Sequence, residues 1–263
     1  MSSNKLQAMR EGGLILGSIR ESLYNYTQVG VSPAQIELEA QRLLKEAGVE
    51  PSFNKVPGYH WATCVTRNEQ VVHGIPTTNT PFVSGDMVMV DVGVYHLGYH
   101  TDCAFTKVVG KSTKEKDRFL EAGLEGINLA IGVIKAGERI GAISEAMQQT
   151  LDRYGYCATK ELTGHGVGKN LHEEPMIPNI ILGPKKNSPK MYNGQTLAIE
   201  IIYVAGKPDL FLEDDGWTIS TKDGKLSAVF EETVEVTADG FSILTKPTLS
   251  QMLSSGTITK KHD

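Results

Sequence analysis

The chain has 263 residues, 40% of them hydrophobic and 22% charged, a size and composition typical of a globular protein with a sizeable core. Its formal net charge of -5, from 26 Lys and Arg against 31 Asp and Glu, gives no general reason to expect nucleic acid or an anionic membrane as a partner. No apolar run reaches membrane-spanning length, and the N-terminus lacks the apolar core of a signal peptide. Three scattered cysteines are too few for a disulfide framework or a cysteine zinc site, and they predict a cytoplasmic protein.

Hydrophobic periodicity and end signals predict four helices. The best marked begins at Ser32, a good N-cap, continues with Pro33 in its first turn and ends at Gly48. The other three cover about residues 5–26, 112–135 and 140–154. β-Branched residues and alternation predict strands over about residues 62–73, 87–95, 99–109, 196–204 and 227–237.

The second and fourth predicted helices look related. Setting Gly30 on Gly137 aligns three further pairs without a gap: Ile36 with Ile143, Leu44 with Leu151, and Gly48 with Gly155. Amphipathic helices resemble one another in any case, but each of these two is followed by a His-Gly segment and then by strands that bear carboxylates. The repeated order predicts two related halves around one shared site, in a single α+β domain over residues 1–263 with its core at about 5–240. The polar segment 250–263 is expected to be a frayed tail.

The stretch MVMVDVGVYHLGYHTDCAFT places one carboxylate in each arm of a predicted hairpin, Asp91 and Asp102. A turn centred between His96 and Leu97 makes these two residues direct cross-strand partners. A turn displaced by one residue, or a bulge beside Gly98, would alter that register. Two facing carboxylates in an apolar sheet need a metal ion, a shared proton or an Arg from elsewhere as compensation. The simpler alternative is a solvated hairpin face with two unconnected acids.

Three more segments place isolated polar residues in apolar surroundings. Glu200 is the one charge in its strand, and Glu231 and Glu232 stand side by side in an alternating strand, so that one of them must point inward. His165 lies between two glycines, and His172 follows seven residues later. A lone histidine is usually a hydrogen-bonded core residue. Four carboxylates with an imidazole and no thiolate, however, form a set that suits Mn, Fe(II), Co or Zn and favours two ions.

In order and spacing, these residues resemble the methionine aminopeptidases. The resemblance rests on Asp91, Asp102, the segment GHGVGKNLHEEP, Glu200 and the EET motif that begins at Glu231. The segments NEQVVHGIP, DVGVYHLGYHTD and DDGWTISTKDGKLSA are also similar to that family, and the resemblance runs from the first helix to about residue 237. It implies the pita-bread fold, in which two pseudo-symmetric α/β halves curve an antiparallel sheet around a dinuclear metal site, with helices on the outer face.

The resemblance implies a role for each matching residue in the metal site. Asp91 binds one metal and His165 the other, Asp102 and Glu231 bridge both, and Glu200 binds the second metal and serves as general base or acid. A hydroxide activated by the two metals then removes the N-terminal methionine from nascent proteins and peptides, whose free amine binds a metal.

The same resemblance implies the residues that contact substrate. His73 and His172 take part in catalysis, with His172 stabilising the oxyanion and His73 hydrogen-bonding at the scissile amide. Tyr59, Cys64 and Trp217 line the methionine pocket, where their soft and aromatic character suits a thioether.

The short interval between His172 and Glu200 leaves no room for the helical insertion of the type II enzymes, so the chain resembles a short, bacterial type I form. Three positions depart from the family pattern. Ile201 replaces a proline, which predicts a redirected strand, while Glu232 replaces a histidine and Leu171 an aromatic residue. These departures are expected to affect pocket shape and metal preference more than the chemistry.

Two rival functions remain open. Related pita-bread peptidases cleave Xaa-Pro bonds with the same five ligands, but they usually add a large N-terminal domain. Non-catalytic pita-bread proteins bind nascent chains or RNA, but they usually lose metal ligands. The expected partners are the N-terminal methionine of peptide substrates and ribosome-associated nascent chains, with no membrane, no nucleic acid as substrate and a monomeric state.

Overall fold

A computed structural model of the protein describes residues 3–246, so the predicted tail at 250–263 lies outside the described residues. The helices are α1 (Ser3–Tyr26), α2 (Pro33–Glu46), α3 (Lys114–Gly132) and α4 (Ile140–Tyr154). The strands are β1 (Glu50–Pro51), β2 (Thr63–Arg67), β3 (Gln70–Val72), β4 (Met87–His96), β5 (Tyr99–Val108), β6 (Cys157–Ala158), β7 (Thr163–Gly166), β8 (Glu173–Pro178), β9 (Thr196–Val204), β10 (Leu210–Leu212), β11 (Ile219–Thr221), β12 (Ser227–Val236) and β13 (Phe241–Ile243). Within residues 3–246, no helix is both long and apolar enough to cross a membrane.

Within the described part of the chain, ten strands form one antiparallel sheet, whose main path runs β1-β4-β5-β12-β9-β7-β8. Three strands pair beside this path, β2 with β4, β6 with β9 and β13 with β12, while β10, β11 and β3 form a small separate sheet. The long predicted strands are all present, with one of them divided into β2 and β3. The sequence prediction missed the short strands, and β7 and β8 among them are hidden because the glycines of TGHG and the prolines of EEPMIP obscure the alternation that marks a strand.

Local signals place the helices as predicted. Ser32 caps α2 through a capping box, and Pro33 occupies its first turn. Gly30 and Gly137, which precede α2 and α4, both have a φ of 89°. The sequence offset between Pro33 and Ile140, where the two helices begin, equals the offset between the two glycines. The predicted half-repeat is therefore present in the fold.

The four helices pack on one face of the large sheet. Even-numbered residues of β4, from Val88 to Val94, pack against α1 and α2, and odd-numbered residues of β9, from Leu197 to Tyr203, pack against α3 and α4. Asp91 and Glu200 have the opposite parity in these strands, so the two-residue period directs both side chains to the other face. The predicted arrangement, helices outside an antiparallel sheet, is confirmed.

The β4–β5 hairpin turns one residue later than the sequence predicted. Leu97 and Gly98 form a two-residue turn with φ values of 49° and 89°, and His96 pairs with Tyr99. Two positive φ angles match the twist of the flanking strands, and glycine takes the second of them without strain. The glycine therefore selects this turn over one centred between His96 and Leu97.

The later turn changes the register of the two acids. Asp91 faces Ala104, and Asp102 faces Gly93, so the prediction that Asp91 and Asp102 are direct partners is wrong. Moving the turn centre by one residue moves every partner by two, and a step of two leaves each side chain on its original face. The two carboxylates are diagonal neighbours on the same side of the sheet.

Leu97→Asn is expected to raise the free energy of unfolding by about 0.5–1 kcal/mol, because asparagine adopts positive φ more readily than leucine. The side chain of Leu97 is 69% exposed, so little burial is lost. Urea unfolding of the two proteins measures the difference. Leu97→Val is the control, since a β-branched residue at the same φ should lower stability; equal stability of the Val and Asn variants would contradict the explanation from backbone strain.

Candidate metal centre

One row of cross-strand partners runs over the face of the sheet that the helices leave free. Cys64 of β2 pairs with Asp91 of β4, Asp91 with Ala104 of β5, Ala104 with Glu231 of β12, and Glu231 with Glu200 of β9. Cross-strand partners project to the same side of a sheet. Three acids from three strands therefore share one face, and Glu200 lies directly beside Glu231.

The other two predicted ligands lie one step away from this row. Asp102 is two residues from Ala104 on β5, and His165 of β7 pairs with Ala198, two residues from Glu200 on β9. A step of two residues keeps a side chain on the same face. Five adjacent strands (β4, β5, β12, β9 and β7) thus contribute one predicted ligand each.

A cavity of about 140 Å³ lies over this face, and every site residue named from the sequence lines it. These residues are Tyr59, Cys64, His73, Asp91, Asp102, His165, His172, Glu200, Trp217 and Glu231. The cavity wall also contains Phe53, Val56 and Val229, which sequence reasoning missed. No motif marks these apolar residues, and only the folded contacts bring them to the wall.

The metal-ligating atoms come close together. Those of Asp102, His165 and Glu231 lie within 4.8 Å of one another, and all three side chains are buried. Nε2 of His165 lies 3.8 Å from Oε1 of Glu200, while its Nδ1 lies 2.9 Å from the carbonyl oxygen of Gly166. A carbonyl can only accept a hydrogen bond, so Nδ1 carries the proton and Nε2 presents its lone pair to the acids. This is the form in which an imidazole binds a metal.

Burial raises the pKa of every carboxyl group in this cluster. The pKa of Asp102 rises to about 7, and the pKa values of Asp91, Glu200 and Glu231 rise well above their usual range. Burial is the largest cause for all four, and repulsion from neighbouring acids adds to it for Asp91, Glu200 and Glu231. Burial also lowers the pKa of His165 to about 4, so this imidazole is neutral at pH 7.

Unpartnered oxygens show that the cluster fits a cation. Among the described residues, three of the four buried side-chain oxygens without a hydrogen-bond partner belong to it: Asp91 Oδ1, Asp102 Oδ1 and Glu231 Oε1. Leaving such an atom unpaired costs about 1–3 kcal/mol. A divalent cation takes carboxylate oxygens and a neutral imidazole as ligands, and it offsets the repulsion between the acids. The donor set therefore fits a divalent metal.

Two further histidines reach the cavity with solvent-exposed side chains, in contrast to buried His165. The ring of His172, just before β8, lies 4.4 Å from the ring of His165, centroid to centroid. His73 follows β3 with a φ of 58°, a left-handed conformation uncommon for histidine. A Cβ on the next residue, Gly74, would lie 2.2 Å from the carbonyl oxygen of Val65, so glycine is required there. Backbone strain at a cavity residue is typical of a functional position.

An apolar cluster beside the acids forms the rest of the cavity. Tyr59, Cys64 and Leu171 are buried in it, and Trp217 packs against them. The hydroxyl of Tyr59 donates to the carbonyl oxygen of Thr63 at 2.8 Å, and its ring meets Trp217 edge-on with centroids 5.1 Å apart. Leu171, where the family often has an aromatic residue, is part of this wall. Aromatic edges and a thiol provide surroundings suited to a thioether side chain.

The other two departures from the family pattern lie on the outer face. Ile201 packs in the core with α3 and α4, and β9 continues to pair with β12 as far as Val204. The replacement of proline by Ile201 therefore leaves β9 regularly paired, and a change in the direction of the strand relative to the family stays a prediction. Glu232 forms an ion pair with Arg20 of α1 at 2.7 Å, so the extra acid is neutralised outside the cavity.

Buried carboxylates and one imidazole on an antiparallel sheet, next to an apolar pocket, define a metal-dependent hydrolase. A sequence profile of Metallopeptidase family M24 matches residues 7–238. Methionine aminopeptidase 1 of Bacillus subtilis (strain 168) is 37% identical over 242 residues, which cover 92% of this chain and 96% of that protein. Methionine aminopeptidase of Aquifex aeolicus (strain VF5) is 34% identical over 251 residues, covering 93% and 97%.

Solved structures agree with these relatives. Methionine aminopeptidase from Thermotoga maritima has a TM-score of 0.90 and 34% identity, covering 94% of this chain and 98% of that one. The chain belongs to metallopeptidase family M24, among its methionine aminopeptidases. Prolidase from Pyrococcus furiosus shares the fold, with a TM-score of 0.74, but it is 20% identical and this chain covers 65% of it. The alternative of an Xaa-Pro peptidase is therefore not favoured.

Proposed function

We propose that this chain removes the N-terminal methionine of peptides with two divalent metal ions, held by Asp91, Asp102, His165, Glu200 and Glu231. The observation that carries the proposal is geometric: five adjacent strands each direct one ligand to the same face, beneath an apolar pocket. Co, Mn, Fe(II) and Zn all suit this mixture of carboxylates and imidazole. When bound, the ions supply a nucleophile at neutral pH and polarise the scissile carbonyl.

Three side chains of the cavity carry out proton transfer and hydrogen bonding to the substrate. Glu200 accepts a proton from the nucleophile and returns it to the leaving amine, as a carboxylate positioned beside the reacting groups can do. His172 donates a hydrogen bond to the developing oxyanion, and His73 donates at the scissile amide. Both imidazoles stand at the exposed side of the cavity, where a peptide enters.

The pocket and the acids together favour a terminal methionine. Tyr59, Cys64 and Trp217 surround the thioether, and Leu171 completes the wall. The neutral amine of a terminal residue has a lone pair with which it would bind one of the ions, whereas the amide nitrogen of an internal residue has none to offer. The combination supports an exopeptidase.

Chelation is expected to reduce hydrolysis of Met-Ala-Ser to background, and each candidate metal added back singly should restore it to a different extent. Peptides that begin with a residue other than methionine followed by proline should remain uncut by the same preparation. Elemental analysis runs in parallel with the assay. Full activity in a preparation shown to hold no metal would contradict the mechanism, and faster cleavage of the Xaa-Pro peptides would replace the proposed substrate.

We further propose a monomeric, single-domain enzyme over residues 1–263 that acts in the cytoplasm on nascent chains at the ribosome. The three cysteines, Cys64, Cys103 and Cys157, are free thiols, which supports a reducing compartment. Size-exclusion chromatography with light scattering tests the monomer, and sedimentation with translating ribosomes tests the association.

A further inference from the structure

The two halves of the large sheet meet at the β5–β12 boundary, here called the seam. Within the described residues, one Cα pair joins these strands, Ala104 with Glu231. The strand pairs on either side are matched along their length, with ten pairs of facing residues between β4 and β5 and nine between β9 and β12. The seam strands therefore separate on both sides of their single pair.

Threonine hydroxyls bridge the seam on each side of that pair. Oγ1 of Thr233 accepts a hydrogen bond from the amide of Asp102 at 2.8 Å and donates one to the carbonyl oxygen of the same residue at 2.8 Å. Oγ1 of Thr106 accepts from the amide of Val229 at 3.0 Å and donates to its carbonyl oxygen at 2.7 Å. A hydroxyl both donates and accepts, so one atom replaces a pair of backbone hydrogen bonds.

We propose that Thr233 is a positioning residue for Asp102, an inference that rests on the metal-binding role proposed above. Thr233 is fully buried and is not among the residues that line the cavity. It holds both backbone groups of Asp102, and so fixes the direction in which that carboxylate leaves its strand. Because the hydroxyl stands between the strands, it also sets the spacing between Asp102 and Glu231 on opposite sides of the seam.

Thr233 is itself held by a series of hydrogen bonds and an ion pair that leads from the strand to helix α1. Its amide donates to Oγ1 of Thr245 at 3.2 Å, and the Thr245 hydroxyl donates to Oε2 of Glu232. Glu232 pairs with Arg20 of α1. Glu232, which departs from the family pattern, therefore helps to hold Thr233 in place. It is connected to Asp102 through the hydroxyls of Thr245 and Thr233.

Thr106 provides a matched control for a purely structural role. The two threonines make the same pair of contacts across the same seam and are both buried, but Thr106 holds Val229, which is not a ligand. Thr106→Val and Thr233→Val each leave one amide and one carbonyl group unpaired in the same sheet. The stability loss should therefore be similar, while only Thr233→Val should disturb the ligand.

The test titrates Co(II) into metal-free protein, with affinity measured by calorimetry and ligand geometry by the visible absorption of bound Co(II). Thr233→Val is expected to weaken Co(II) binding by about 10–100-fold and to alter the spectrum. Thr233→Ser, which keeps the hydroxyl, should bind as the wild type does. Thr106→Val should keep the wild-type affinity and spectrum, while urea unfolding shows a loss of stability similar to that of Thr233→Val.

Wild-type affinity and spectrum in Thr233→Val would overturn the proposal, as would equal weakening in Thr106→Val, which would indicate a general loosening of the sheet. Should the Val variants fail to fold, Thr233→Ala and Thr106→Ala are compared by the same two measurements. Failure of the proposed function would appear separately, as wild-type protein that binds no Co(II) at all.

Discussion

His165→Ala is expected to lose bound metal, whereas His172→Ala keeps the wild-type metal content and loses about 10²–10³-fold in kcat/KM. His165 is 3% exposed and lies among the acids, with a neutral ring whose Nε2 faces Glu200. His172 reaches the cavity with an exposed side chain. Elemental analysis and a Met-Ala-Ser assay on the same preparations measure both quantities.

His73→Ala should behave as His172→Ala does, because its side chain is also exposed at the cavity. His96→Ala is the control, since His96 is absent from the residues that line the cavity and pairs with Glu11 instead. Metal loss from His172→Ala as complete as from His165→Ala would make His172 a ligand and end the proposed division of roles. Wild-type rate and metal content in His172→Ala would remove it from the mechanism.

Metal-free Asp102→Asn is expected to be more stable than the metal-free wild type at pH 8, and the difference should vanish near pH 4. The pKa of Asp102 rises from 3.8 to about 7 on folding, so the folded protein keeps a proton that the unfolded chain has released. The stability contributed by this proton is present below pH 4 and is lost as the pH rises through 7. A shift of this size corresponds to on the order of 4 kcal/mol.

Urea unfolding after chelation, at several pH values between 4 and 8, measures this difference, and comparison with the wild type cancels the titration of the shared histidines. Glu37→Gln is the control at a second buried carboxyl group, one that is hydrogen-bonded to donors and does not lie among other acids. The Glu37 carboxylate accepts hydrogen bonds from the amides of Ala62 and Thr63 and from the Thr63 hydroxyl, so its loss should destabilise the protein at pH 8. Saturating metal should reverse the order of Asp102→Asn and the wild type. A constant difference from pH 4 to pH 8 would contradict the linkage.

Much of the site follows from local sequence patterns. The two-residue period of a strand places Asp91 and Asp102 on one face of the predicted hairpin, and the later turn changes their partners without changing that face. The helix caps at Ser32 and the glycines before α2 and α4 identify the half-repeat, because such signals act within a few residues. Signals that act over a few residues therefore predict which face of each strand carries the acids and where the two related helices begin.

Contacts between distant segments could not be predicted in this way. Phe53 and Val229 enter the cavity wall from segments without a motif, and β7 is hidden by its glycines. The contact of Thr233 with the backbone of Asp102 exists only because two strands separate at that point, and strand separation has no signature in the residues themselves. The packing of Ile201 could not be predicted for the same reason, since its partners lie on α3 and α4.

The seam also bears on the order in which the protein is expected to fold. The β4–β5 hairpin joins neighbours along the chain, whereas Ala104 and Glu231 lie far apart in sequence, so closing the seam carries the larger entropic cost and comes later. Asp91 and Asp102 precede the seam, while His165, Glu200 and Glu231 follow the first half. Neither half alone carries all five proposed ligands. The time at which metal binds during refolding should therefore report when the two halves come together.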